Sequence, residues 1–235
     1  MPSRTFIRTA AVAALLTAVT TLCVHLLPEL WAHVTTFDDR VALRNDPIYM
    51  ARLWIVIAHC VLVLISMAGL AAILGRRAPV LAGFGLLGYG VFATAEILRM
   101  SLAIFALNRT WRAQYALAGD PAVKAGLRTL IDGFDGVSAA LFFVFSLGFS
   151  AGLVCYAAAL WRGTARERQL GLVMAAWALL SCATLFDTSA GTAIFSSALW
   201  WVGPYFQPLA RAYIAWWLWK SAAIMQGLVA TSPRL

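Results

Sequence analysis

Glu96 and Arg99 stand one helical turn apart in the stretch 94–100, TAEILRM, inside a run that is otherwise apolar. A carboxylate and a guanidinium at i and i+3 on a helix can pair with each other. In lipid, each charge costs about 2.5–3.5 kcal/mol on insertion scales, so such residues face a protein interior and find partners. The face they share continues through Gly85, Tyr89, Phe92 and Ala103. Asp187 is an alternative partner for Arg99, and Arg211 for Glu96. Two chemistries fit this set of Glu96, Arg99, Asp187, Arg211 and Tyr89. One is an ion-pair cluster that locks helices together; the other is a ligand-binding pocket or ion pathway in the outer half of a membrane.

Two further groups carry chemistry. His25 and His59 fall at similar depth on the first two apolar runs, with Cys23 and Cys60 beside them. Two imidazoles facing each other could hold haem b, and the same histidines with the two thiols could hold a metal ion. Neither a C-x-x-C-H motif nor a pair of histidines on one helix supports this alternative. Tyr213, Trp216, Trp217 and Lys220 follow i, i+3, i+4, i+7 spacing. That places an ammonium along an aromatic face, unless Lys220 snorkels to the membrane surface. No G-x-S-x-G, H-E-x-x-H or Walker sequence occurs, so the chain reads as a binding or transport protein rather than an enzyme.

The elements that must position these residues are membrane helices. Of 235 residues, 62% are hydrophobic and 12% charged, against roughly 25% charged in a soluble domain; mean hydropathy is +0.82. The apolar runs are continuous and do not alternate, which selects helices over a transmembrane β-barrel. The expected fold is all-α, a single integral membrane domain of six spans at about 6–31, 53–75, 80–107, 137–161, 169–188 and 208–230. A link segment at about 121–134 begins with Asp120-Pro121, an N-cap followed by proline. Its Val123, Leu127, Leu130, Ile131 and Phe134 form one apolar face, as in a helix lying at the membrane interface. The uncharged stretch 189–208 is interrupted by Gly203-Pro204 and reads as an interfacial or re-entrant hairpin, with Trp200, Trp201 and Tyr205 at headgroup level.

Orientation follows lysine and arginine. The short links RRAP and RGTARER are strongly basic, and Arg4, Arg8 and Arg234 fall on the same side in a six-span chain. Both termini are therefore expected in the cytoplasm. The net charge of +8 resides largely in these links, where it meets lipid headgroups rather than nucleic acid. Cys23, Cys60, Cys155 and Cys182 are isolated and apolar in setting, which suits small buried hydrophobes. Gly148 and Gly152, in SLGFSAG, have the G-x-x-x-G spacing that lets helices approach closely. NRT at Asn108 matches a glycosylation sequon, a weak pattern.

The stretch YALAGDPAVKAGLRTLIDGFDGVSAALFFVFSLGFSAGLVCYAAALWRG, together with RQLGLVMAAWALLSCATLF, resembles a bacterial family of six-helix membrane proteins known only as a domain of unknown function. The shared features are an Ala- and Asp-rich outer link, a Phe/Gly-rich fourth helix ending in a basic turn, and LG opening the fifth. The resemblance implies that architecture and a bacterial cytoplasmic membrane, and it implies no activity. The functional expectation is an integral membrane protein that binds or transports a small ligand, or serves as a membrane partner subunit or homo-oligomer. The alternative is a redox subunit holding haem b or a metal through His25 and His59.

Overall fold

Aspartate and threonine caps start the helices where the sequence turns from polar to apolar. Asp46 accepts from the backbone N–H groups of Ile48 and Tyr49 at 2.8 and 2.9 Å, with Pro47 in the first turn. Asp120 does the same for Ala122 at 2.8 Å ahead of Pro121. Both satisfy N–H groups that a helix start leaves open. The computed structural model describes residues 2–30 and 34–230, without the side chains of 196–201 and 225–230. Trp31, the Trp200 and Trp201 side chains and Arg234 lie outside the described residues.

The elements are α1 (Arg4–Leu26, followed by a 3-10 turn Leu27–Leu30), α2 (Phe37–Ala42), α3 (Pro47–Leu74) and α4 (Pro79–Leu102). A π-helical stretch, Ala103–Trp111, carries α4 on into α5 (Arg112–Leu117). Then come α6 (Pro121–Trp161), α7 (Ala165–Ala190) and α8 (Ser196–Ala230). No strand occurs among the described residues. Five helical stretches there are long and apolar enough to cross a membrane: Arg4–Leu30, Pro47–Leu74, Pro79–Leu117, Pro121–Trp161 and Ala165–Ala190.

The long helices pack in the order α8, α1, α3, α4, α6, α7, with α7 meeting α8 more sparsely. Leu15, Val19, Phe84, Leu87, Leu147, Val154, Leu172 and Leu179 point outward and are exposed. Thr17, Ser66, Glu96, Ser146, Ser150 and Arg211 point inward and are buried. That inversion suits a bundle whose outer solvent is lipid. Backbone meets backbone where α4 packs on α6. A Cβ on Gly88 would lie 2.7 Å from the Gly148 carbonyl oxygen and 2.7 Å from the Gly152 nitrogen. The small-residue spacing on α6 therefore meets small residues on α4, and the aromatic rings of Tyr89 and Tyr156 stack beside the contact at 5.7 Å.

Three expected boundaries are corrected. The segment 121–134 is not a separate interfacial helix: it is the first part of the 41-residue α6. Its apolar face is covered by protein, with Leu127, Ile131 and Phe134 buried and Phe134 edge-on to Trp111 at 6.4 Å. Periodicity predicts a buried face, and a neighbouring helix rather than lipid buries it. The third run does not end at 107, because the π stretch passes the polar residues. Within it, Asn108 donates to the Ala103 carbonyl at 2.6 Å and accepts from Arg112 at 2.8 Å. Asn108 is buried, so the sequon is turned inward. The uncharged stretch 189–208 is not a hairpin, since from Ser196 it is helix and Pro204 and Pro208 lie inside α8. Prolines are tolerated in membrane helices, where neighbours re-satisfy the freed backbone groups.

At about 1.5 Å per residue, α6 is about 61 Å long, twice the hydrocarbon thickness of a bilayer. Its extra turns carry a small cap at the end away from RRAP. Arg40 reaches Asp132 at 3.1 Å and Asp135 at 3.0 Å, and Arg128 lies over the Phe37 ring at 4.5 Å. Asp39 forms a capping box with Thr36 and also accepts from Thr35 N–H and Oγ1 at 3.1 and 3.0 Å. Hydrogen bonds with Thr36, then Thr35, hold its carboxyl down to about 2. A depressed carboxylate stabilises the fold fully above its unfolded value and loses that contribution as pH falls through the folded one. The cap is therefore expected to keep this bond set at pH 4 and lose it near pH 2. A carbon-13 titration of the Asp39 carboxyl should give a midpoint near 2; a midpoint near 4 would show that the box is not formed.

At the opposite end, Arg77 in the α3–α4 turn donates to Glu167 at the start of α7, 2.8 Å apart. Arg8 of α1 lies over the Trp219 ring of α8 at 5.2 Å. The two basic turns and the N-terminal arginines thus share one end of the bundle.

Candidate functional site in the bundle interior

Glu96 and Arg99 pair within α4. Arg99 Nε donates to Glu96 Oε2 at 2.7 Å and Nη2 to Oε1 at 2.6 Å, a bidentate match of guanidinium to carboxylate. The third nitrogen, Nη1, reaches Ser138 Oγ on α6 at 3.4 Å, and the guanidinium lies over the Phe142 ring at 5.7 Å. Gly85, Tyr89, Phe92 and Ala103 are buried along the same face, as the spacing predicts. The pair is satisfied inside the protein and needs no ligand. Ser138 and Phe142 were not foreseen; they lie one turn apart on α6 and could have been found only by knowing which helix faces α4.

Asp187 does not partner Arg99. It accepts from Thr192 Oγ1 at 2.9 Å and from the Ile194 and Phe195 N–H groups at 3.1 and 2.8 Å. With Gly191 left-handed at φ 64°, this buried carboxylate organises the link from α7 to α8. The expected Glu96–Arg211 pairing is likewise not formed. Arg211 lies about 22 Å along α8 from the start of that helix. It is 3% exposed, and its guanidinium carbon sits 5.0 Å above the Trp177 ring of α7. Among the described residues it has no carboxylate and no hydrogen-bond acceptor, and its Nε is buried without a partner.

The Tyr89 hydroxyl is also fully buried with no partner. It lies in the electrostatic neighbourhood of Arg211, as does Cys60. A run of rings connects them: Tyr89 to Phe149 at 5.6 Å, Phe149 to Trp177 at 5.3 Å, and Trp177 to Phe206 at 6.2 Å. His59 comes close enough to feel the Arg211 charge, while its Nδ1 shares a proton with Thr20 Oγ1 of α1 at 2.7 Å. Ser150 donates to Ser181 at 2.8 Å between α6 and α7. Each long helix thus contributes a polar group to the contacts between helices.

His25 and His59 lie within electrostatic range of each other. His25 is half-buried near the end of α1, Cys60 is buried, Cys23 is half-buried, and all four cysteines are free. No group of three or more metal-ligating side chains assembles among the described residues, so His25, His59, Cys23 and Cys60 do not form a metal donor set. Tyr213 stacks on Trp216 at 5.5 Å, but Trp217 turns inward and Lys220 is exposed, so the aromatic-cation face is split. Trp219 of this helix takes its cation from α1 instead, from Arg8. Arg52 of α3, which sequence reasoning did not single out, donates through Nε to the Val24 carbonyl at 3.3 Å. Its signal was a spacing of two turns from His59 on one helix face. An open groove of about 320 Å³, lined by Asp38, Arg44, Asn45, Tyr115 and Lys124 among others, lies at the cap and touches none of these residues.

The chain matches no described protein family, no curated protein and no solved structure.

Proposed function

We propose that the protein is a six-span integral membrane protein of a bacterial cytoplasmic membrane that binds a small ligand inside its bundle and moves it or holds it there. The sixth span is the described helix α8, and both termini face the cytoplasm. The shared end that carries Arg4, Arg8, Arg77 and the RGTARER turn supports this orientation by the positive-inside rule. The observation that carries the ligand reading is Arg211, a buried cation without a counter-charge among the described residues. Ionisable residues at membrane depth mark substrate or ion pathways unless they are paired. Glu96 and Arg99 are paired, so the functional centre shifts from them to Arg211.

Native mass spectrometry of the full chain, released from nanodiscs, tests this together with a thermal-stability screen of salts, small acids, amines and sugars. A saturable stabilisation or a bound mass that is neither lipid nor detergent is expected, and Arg211→Gln should remove it. Lipid and detergent adducts alone, with no stabilising compound, would overturn the reading.

A further inference from the structure

The ligand class follows from the chemistry around Arg211, and the inference rests on the ligand-binding reading above. Arginine does not give up its proton in proteins. Its positive charge is therefore fixed, and burial without a partner leaves that charge uncompensated. The two buried carboxylates among the described residues, Glu96 and Asp187, are already engaged. Glu96 is held by two nitrogens of Arg99. Asp187 accepts from its own link and stands about 15 Å along α7 from Trp177.

Within electrostatic range of this cation, across the Phe149 and Trp177 rings, lies a second orphan of complementary use. The Tyr89 hydroxyl is a buried donor with nothing to donate to. A guanidinium and a hydroxyl donor together satisfy an acceptor carrying one negative charge. The walls are rings, Trp177 over the guanidinium and Phe149 between Trp177 and Tyr89. Rings in these positions offer no second cation to a doubly charged anion.

We propose that Arg211 and Tyr89 form a binding site for a small monovalent anion at mid-depth in the bundle. The anion supplies the missing counter-charge, accepts from Arg211, and takes the Tyr89 hydroxyl hydrogen bond. Its chemistry is that of a halide, nitrate or small carboxylate, and the titration below separates these sources.

The purified full chain is exchanged into sodium gluconate and titrated with chloride, bromide, nitrate, formate, acetate and sulfate at constant ionic strength. Thermal unfolding is the readout. At least one monoanion should raise Tm saturably, and sulfate should not. Tyr89→Phe keeps the ring and removes only the donor. Losing a hydrogen bond to a charged group should raise the apparent Kd about tenfold or more. Arg211→Gln should abolish the saturable response. If Arg211→Gln does not fold, Tyr89→Phe still decides. A Tyr89→Phe response identical to wild type, or a wild-type response that is the same for all six anions and never saturates, overturns the proposal. If some other compound stabilises the protein in gluconate while no monoanion does, the anion assignment falls and the ligand reading stands. If nothing does, both fall.

Discussion

Gly88→Leu is expected to leave little folded protein in the membrane. The substituted Cβ alone would meet backbone atoms of Gly148 and Gly152 at 2.7 to 2.9 Å, and backbone cannot rotate away as a side-chain tip can. Helices in lipid associate through van der Waals packing and not through a hydrophobic driving force, so forcing a small-residue seam apart sacrifices packing that nothing else replaces. Overpacking costs about 1–3 kcal/mol, occasionally more, and a leucine wedged between two backbones belongs at the upper end of about 3 kcal/mol or beyond. Gly90, two residues on, has nothing within 4 Å of its Cβ position. Gly90→Ala should be neutral or stabilise by up to about 1 kcal/mol through helix propensity. Denaturant unfolding in mixed micelles checks both. Equal stability of the two variants would show that α4 and α6 do not pack through Gly88.

Glu96→Gln should be costly, and a second change should rescue part of the cost. Breaking one partner of a buried ion pair typically costs about 3–5 kcal/mol because the other charge is left alone. Here the side chains are 7% exposed for Glu96 and 22% for Arg99. Arg99 can therefore shift part of its charge outward, which places Glu96→Gln near about 3 kcal/mol. The double change Glu96→Gln with Arg99→Gln removes both charges and should be less destabilising than the sum by about 2 kcal/mol. The same unfolding assay reads the cycle. Strict additivity would show that the two groups do not pair in the membrane.

What the sequence made legible divides along the same lines. The Glu96–Arg99 pair needs only one helix and a three-residue spacing, so it could be read directly. The apolar face of 121–134 could be read as a face, but periodicity does not say whether lipid or protein covers it. Trp111 and the helix leading to it cover it here. The helix that carries Arg211 begins at Ser196, ahead of the expected start at about 208. Gly203-Pro204 looks like a break in a soluble helix, whereas α8 runs through it. Asp187 was misassigned because a link folded back on its own carboxylate leaves no mark in composition. The partners that define the candidate site, Trp177 and Tyr89, come from α7 and α4, and only packing brings them to α8.

The two longest helices differ in a way that bears on mechanics. Past its first turn, α6 contains no proline, while α8 carries Pro204 and Pro208 within its length. A straight rod of about 61 Å that tilts by about 5° displaces its far end by about 5 Å, so a push on the cap reaches the basic turn undiminished. The other helix behaves as a jointed lever, because each proline removes a backbone bond and lowers bending stiffness locally. Arg211 follows Pro208 by less than one turn, so its charge rides on the compliant member while Tyr89 and Trp177 are fixed to stiffer neighbours. A flex of α8 would change the distance between them with no rearrangement of the seam between α4 and α6.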